Sequence, residues 1–185
     1  LLGAGQMMFL KVVVVVDEDH IVKNLDSLLD ALEMKVSIPD DLVTLKGMVA
    51  DSLAHNSPWE NIHDKLIVDA TSPADGDPIE HVEMVPVSKS LVISASAIDG
   101  VVQARMLRPS MMVITTEIEG GPQPEESMED ANEHLANLQR QTIATIRDSI
   151  WGLEASKGLR WLFITDSDAD LESEDWRRRL LWQLF

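Results

Sequence analysis

The run KVVVVV, Lys11 to Val16, limits the fold more than any other part of the chain. Five consecutive β-branched side chains lose rotamer freedom against the turns of a helix and pack readily on a pleated strand. Because they do not alternate with polar residues, both faces of the strand call for cover, which predicts a fully buried strand in a parallel sheet. Four polar residues follow at once: Asp17, Glu18, Asp19 and His20. Acids just past the carboxyl end of a parallel strand stand where open α/β sheets bind ligands. In an extended chain Asp17 and Asp19 share one side and could hold a divalent cation. The plainer reading, which outweighs the metal, is a solvated turn favouring the N-terminus of the next helix.

Downstream, strands and helices alternate. Asn24 can cap a helix that carries Leu25, Leu28, Leu29 and Leu32 on one face. Strands are expected over Leu42–Leu45, Lys65–Val68, Leu91–Ile98, Met111–Ile118 and Leu159–Thr165. TSPADGDP, Thr71–Pro78, reads as a loop, and residues 72–90 as an internal loop or linker region. A long helix runs from about Ser127 to Ser156, with Ser127 and Asp130 spaced as a capping box. Leu135, Leu138, Thr142, Ile146 and Ile150 form its inward stripe, and a last helix starts at Trp176 with Trp176, Leu180, Leu181 and Leu184 inward. The expected class is α/β, a mostly parallel sheet flanked by helices. The segment LRWLFITDSDADLESEDWRRRLLWQL repeats the pattern of LKVVVVVDEDHIVKNLDSLLDAL: Asp17 corresponds to Asp166 and Asp19 to Asp168. That suggests two related strand-acid-helix units, in one sheet or in two packed halves. It also weakens the metal reading, since Ser167 and Ala169 stand where Glu18 and His20 do.

Charge and composition exclude several functions. A net charge of -17 over 185 residues repels a phosphate backbone, so no nucleic-acid partner is expected. With no cysteine there is no disulfide framework, Cys-based zinc site or thiol nucleophile. The apolar stretch Leu1–Leu10 is too short to span a bilayer and lacks the basic start of a signal peptide. Peripheral membrane association is left open. His55 and His63 flank the polar stretch HNSPWENIH, which reads as a hydrogen-bonded surface loop sooner than a site. No histidine has the i, i+4 partner of a helical metal site. Gly3-Ala4-Gly5 precedes its strand, so it cannot cradle a dinucleotide, and Gly120-Gly121 is ringed by acids that would repel a phosphate. Lys11, at the entry of the valine strand in an acidic protein, is read from the residues alone as a lysine snorkelling at the sheet edge. The chain starts at Leu1 inside an apolar stretch and stops at Phe185 inside a helical pattern, so both ends are expected to be truncated.

Three ordered motifs carry a resemblance to a known family. GAGQMMFLKVVVVVDEDHIVKNLDSLLDAL (residues 3–32), LAHNSP (53–58) and KLIVDAT (65–71) resemble the C-terminal domain of the UbiD family of decarboxylases. That family includes the 3-polyprenyl-4-hydroxybenzoate carboxy-lyases of ubiquinone biosynthesis and related menaquinone and aromatic-acid enzymes. The chain departs from the pattern at His20 and Ile21, at Val36–Asp41 and at Asn56.

The resemblance implies a C-terminal α/β domain, residues 1–185, of a longer carboxy-lyase that uses prenylated FMN with a divalent metal, manganese. It implies a cytoplasmic homo-oligomer whose partner is its own N-terminal catalytic domain, acting on an aromatic or polyprenylated hydroxybenzoate-like acid in quinone biosynthesis. The family's catalytic Glu-Arg-Glu set and metal ligands have no counterpart here, so no catalytic or metal-binding residue is assigned. This piece alone is expected to be inactive and to bind no cofactor. Lys11 occupies the position of the family lysine that reaches the flavin and is the one cofactor-binding assignment. Trp176 and Trp182 are candidates for a subunit interface or for ordinary core packing. Beyond Phe185 a further strand and a second Asp-Ala-Thr are expected. The competing reading is a non-catalytic structural or assembly domain of a divergent member.

Overall fold

The computed structural model describes residues 10–18, 24–49, 62–72, 87–117, 128–166, 171–173 and 175–176. In chain order the elements are β1 (Val12–Val16), α1 (Leu25–Met34), β2 (Leu42–Val49), β3 (Ile62–Ala70), α2 (Ser90–Ser96), β4 (Val101–Arg108), β5 (Met111–Thr116), α3 (Met128–Trp151) and β6 (Trp161–Asp166). They form two three-stranded sheets, β1-β3-β2 and β4-β5-β6. Each central strand has one parallel neighbour, β1 or β6, and one antiparallel neighbour, β2 or β4.

The α/β class holds, but the sheet is not mostly parallel. The missing antiparallel strand is β4, whose sequence VVQARMLR carries charges at Arg105 and Arg108 and so lacks an apolar run. Pro109 and Ser110 turn it directly into β5, and Arg108 pairs with Met111 across that turn. So short a connection permits only antiparallel pairing. Leu91–Ile98, expected as a strand, is mostly helix α2, which buries Leu91 and Ala95. Short apolar runs do not distinguish the two by periodicity.

Helix α1 is the centre of the packing. Asn24 caps it, its side-chain oxygen accepting from the Asp26 N–H at 3.0 Å. Leu25, Leu29 and Leu32 are buried, with Leu28 partly buried against the same cluster. Each such leucine contributes about 1.5–3 kcal/mol by burial. On one side α1 meets Val14, Val16, Val68 and Ala70 of the first sheet; on the other it meets Leu107, Met111, Trp161 and Phe163 of the second. The opposite face of the second sheet, Met112, Ile114, Leu162 and Ile164, is covered by α2 and by Ile146 and Ile150 of α3. The order of layers is therefore sheet, helix, sheet, helices. Leu138 and Thr142 of the expected α3 stripe are half-buried. Leu135, the Ser127–Asp130 capping box and the helix beyond Trp176 lie outside the described residues or side chains.

The valine strand is not fully buried. Among the described residues it pairs with one strand, β3, and Val15 is 43% exposed. The two units of the sequence repeat fall in two packed sheets: among the described strands, β1 and β6 are both outer strands running parallel to a central one. The Asp-x-Asp comparison itself extends beyond the described residues at Asp19 and Asp168.

Candidate functional site

The first sheet has two chemically distinct ends. At the carboxyl ends of β1 and β3, Asp17 accepts from the Ser72 N–H (3.0 Å to Oδ2, 3.1 Å to Oδ1) and from the Ser72 hydroxyl at 2.8 Å. It also forms an ion pair with Lys35, the residue that ends α1. The Lys35 contact first, and the two Ser72 bonds after it, hold the Asp17 carboxyl down at about 2 from its ordinary 3.8. Next to it, Asp69 Oδ1 accepts from the Thr71 N–H (3.0 Å) and hydroxyl (2.7 Å), closing the turn after β3. Asp17 thus ties the ends of β1, α1 and β3 together, while Asp69 closes the turn after β3. Glu18 is exposed, and Asp19 and His20 lie outside the described residues. No group of three or more His, Asp or Glu among the described residues could hold a metal ion.

The amino ends of the strands are basic. Lys11 is half-buried just before β1, and burial lowers its ammonium pKa. Its carbonyl accepts from the Leu66 N–H at 2.9 Å, which sets it beside Lys65 of β3. Val14 and Val16 face α1, so strand alternation turns Lys11, Val13 and Val15 to the sheet's other face, with Lys65 and His63. Lys65 is 1% exposed and His63 5%. His63 lies in β3, not in a surface loop; His55 lies outside the described residues. Its Nδ1 stands 2.8 Å from the Asp64 carbonyl, which can only accept, so Nδ1 donates, and Nε2 is buried with no hydrogen-bond partner among the described residues. Lys65 and His63 are buried on the face away from α1, and the alternation of HDKLIVDA did not reveal this, because Leu66, Val68 and Ala70 hold the opposite parity and face the helix.

Lys11 and Asp17 are some 20 Å apart, at about 3.3 Å per residue of strand, and so cannot share one small site. A partly desolvated ammonium suits a phosphate or ring charge, so Lys11 fits a flavin contact. The metal that accompanies the flavin in the UbiD pattern has no fitting donor set among the described residues.

Elsewhere the polar groups join the two halves. Glu33, buried on α1, accepts from the Ser110 N–H (2.9 Å) and hydroxyl (2.7 Å). Arg160 donates to the Glu33 carbonyl at 2.7 Å and to the Val36 carbonyl, capping the helix end. Arg108 pairs with Asp30 at 2.8 Å and reaches the Asp26 carbonyl at 2.9 Å. Arg105 bonds the Leu171 carbonyl at 2.6 Å and lies 4.5 Å over the Trp176 ring, which is packed in the core. No helix among the described residues is long and apolar enough to cross a membrane.

Residues 1–70 match the family model of the 3-octaprenyl-4-hydroxybenzoate carboxy-lyase C-terminal domain, the UbiD family whose motifs the sequence carries. The match spans β1, α1, β2 and β3, the whole of the first sheet. A phenolic acid decarboxylase of Escherichia coli O157:H7 is 42% identical over 69 residues, which cover 37% of this chain and 14% of that protein. The open form of Sedimentibacter hydroxybenzoicus vanillic acid decarboxylase aligns with a TM-score of 0.41 at 26% identity, over 49% of this chain and 20% of that one. The UbiD-class enzyme HmfF of Pelotomaculum thermopropionicum, in complex with FMN, aligns with a TM-score of 0.36 at 25% identity, over 43% and 17%. The chain therefore spans a small part of the length of these relatives.

Proposed function

We propose that this chain is the C-terminal α/β portion of a UbiD-type non-oxidative decarboxylase that uses prenylated FMN. The observation that carries the reading is the match of residues 1–70 to the family's C-terminal domain, joined to the named activity of the relatives. The substrate class is an aromatic or polyprenylated hydroxybenzoate-like acid, and the setting is cytoplasmic quinone biosynthesis. When bound, the cofactor supplies the electron sink for departing CO2. This chain's part is a wall of the cleft, with Lys11 holding negative charge on the cofactor while an N-terminal domain supplies the acid-base groups and the metal site. The parent protein works as a homo-oligomer, and residues 1–185 alone neither bind cofactor nor turn over substrate.

The test belongs in the full-length protein. Lys11→Ala should lower the flavin retained through purification severalfold, read from absorbance and from flavin released on denaturation, with Lys11→Arg intermediate. Unchanged flavin content in Lys11→Ala would remove the Lys11 assignment and leave the family reading standing. A wild-type full-length protein with neither flavin nor CO2 release from a panel of hydroxybenzoic acids would favour a non-catalytic assembly domain. That second reading draws on Asp17 and Asp69, both engaged within the fold.

A further inference from the structure

The connection from α2 to β4 is a tight turn with chemistry of its own. Ile98, Asp99, Gly100 and Val101 make it, and the Val101 N–H closes it on the Ile98 carbonyl at 3.1 Å. Gly100 has φ 82°, the value that the third residue of a type II turn requires. The closing bond spans the peptide between Asp99 and Gly100 without using it. Asp99 is exposed, and with Gly100 it lines a cleft of about 810 Å³ between the turn and α3.

An aspartate followed by glycine can react with its own chain. The glycine nitrogen lies within reach of the aspartate side-chain carboxyl carbon, and without a Cβ on the glycine nothing hinders the approach. Here the Gly100 nitrogen attacks the Asp99 carboxyl carbon and a C–N bond forms. One carboxylate oxygen leaves as water, taking the amide proton and a second proton from solvent. The product is a cyclic succinimide. Water then opens the ring at either carbonyl. Opening at the side-chain carbonyl restores aspartate; opening at the main-chain carbonyl leaves the chain running through the side chain, as isoaspartate. The sum is an isomerisation that needs only water.

The surroundings give this change a structural consequence. A Cβ on Gly100 would stand 3.3 Å from Ile146 Cδ1 and 3.7 Å from Thr142 Cγ2, so the glycine backbone packs directly on α3. Ile146 belongs to the core beneath. The next residue, Val101, starts β4 and pairs with Thr116. Isoaspartate adds a methylene to the main chain between Ile98 and Gly100, so the closing bond and the Gly100 contact cannot both keep their geometry. Asp148-Ser149 is the contrast: it lies inside α3, where the Ser149 N–H is committed to the helix ladder.

We propose that Asp99-Gly100 is a site of spontaneous isoaspartate formation in the folded protein, and that conversion there loosens the α2–β4 turn from α3. The inference stands on the turn and does not depend on the decarboxylase reading.

The test is prolonged warm incubation of the full-length protein at neutral pH, followed by digestion and electron-transfer mass spectrometry, which separates isoaspartate from aspartate. Isoaspartate should accumulate at Asp99 severalfold faster than at Asp148, and an isoaspartyl carboxyl methyltransferase should label the same peptide. Asp99→Asn should speed the conversion severalfold, because ammonia leaves more readily than water. Asp99→Glu should abolish it, because the ring would be one atom larger and closes slowly. Both substitutions leave a polar side chain at an exposed position, so the fold is kept. The converted fraction should unfold at lower urea than fresh protein, and aged Asp99→Glu should not. Conversion at Asp99 no faster than at Asp148 would overturn the proposal, as would conversion in urea but not in the folded protein. A converted fraction as stable as fresh protein would overturn its second half.

Discussion

The bond between α1 and the β4–β5 turn is the joint whose loss should be felt most. Turns ordinarily lie at the surface, but Ser110 is fully buried, and every backbone group around it is used. Its N–H and hydroxyl go to Glu33. Its carbonyl accepts from the N–H groups of Arg160 (2.9 Å) and Trp161 (3.2 Å), and the Pro109 carbonyl accepts from Val87 at 3.2 Å. Glu33→Ala removes two hydrogen bonds to a charged acceptor, each worth about 1.5–3 kcal/mol, and leaves the Ser110 donors buried without a partner. It also removes the carboxylate whose field favours the charged form of Arg160, a guanidinium whose pKa burial lowers. The expected loss is about 3–5 kcal/mol, in the range measured when one member of a buried charged pair is deleted. Against a total of about 5–15 kcal/mol that is roughly a fifth or more of the stability. Glu33→Gln keeps an acceptor and should lose only about 1–2 kcal/mol. Urea denaturation read by far-ultraviolet circular dichroism gives both values, and in a thermal scan Glu33→Ala should melt about 10 °C lower. If Glu33→Ala unfolds within 1 kcal/mol of wild type, or no earlier than Glu33→Gln, the two halves are not joined through this carboxylate.

The Asp17 latch predicts an acid limb. Its folded pKa, about 2, lies below the ordinary 3.8, so its contribution is fully present above 3.8 and is lost as pH falls toward 2. The difference in urea midpoint between wild type and Asp17→Asn should hold steady at neutral pH and shrink across that window; a difference independent of pH would refute the latch. Arg105→Ala removes the bond to the Leu171 carbonyl and the cation over Trp176, and should cost about 1–3 kcal/mol while moving tryptophan emission to the red. Emission and stability that stay at wild-type values would mean that residues 171–176 are held to the sheet by apolar packing alone.

Part of the fold could be read from the residues where the signals are local. Asn24 before a leucine face, and Leu159–Thr165 before an acid, each describe one element without reference to the rest. Strand β4 could not be read this way. Its Gln103 and Arg105 look like surface residues, yet Gln103 accepts from the Leu171 N–H at 2.7 Å and Arg105 covers Trp176. Their partners lie almost seventy residues downstream, beyond any window of periodicity. The same limit turned α2 into an expected strand, since Ser90–Ser96 is too short for 3.6-residue periodicity to outweigh its β-branched residues.

The candidate site was legible to a different degree at each end of the strand. The acids after Val16 attracted attention because carboxylates are metal ligands, and a sequence does not reveal that Ser72 and Lys35 will saturate one of them. Lys11 attracted less by its chemistry and more by its place, at the mouth of an apolar strand. Burial lowers its pKa, while Asp17, equally charged, is pushed further toward ionisation by its partners. A carboxylate already held by a lysine and a serine must break those bonds before it can serve a ligand. The cofactor contact proposed above is therefore set at the amino end of the valine strand, where Lys65 and His63 share the face of Lys11.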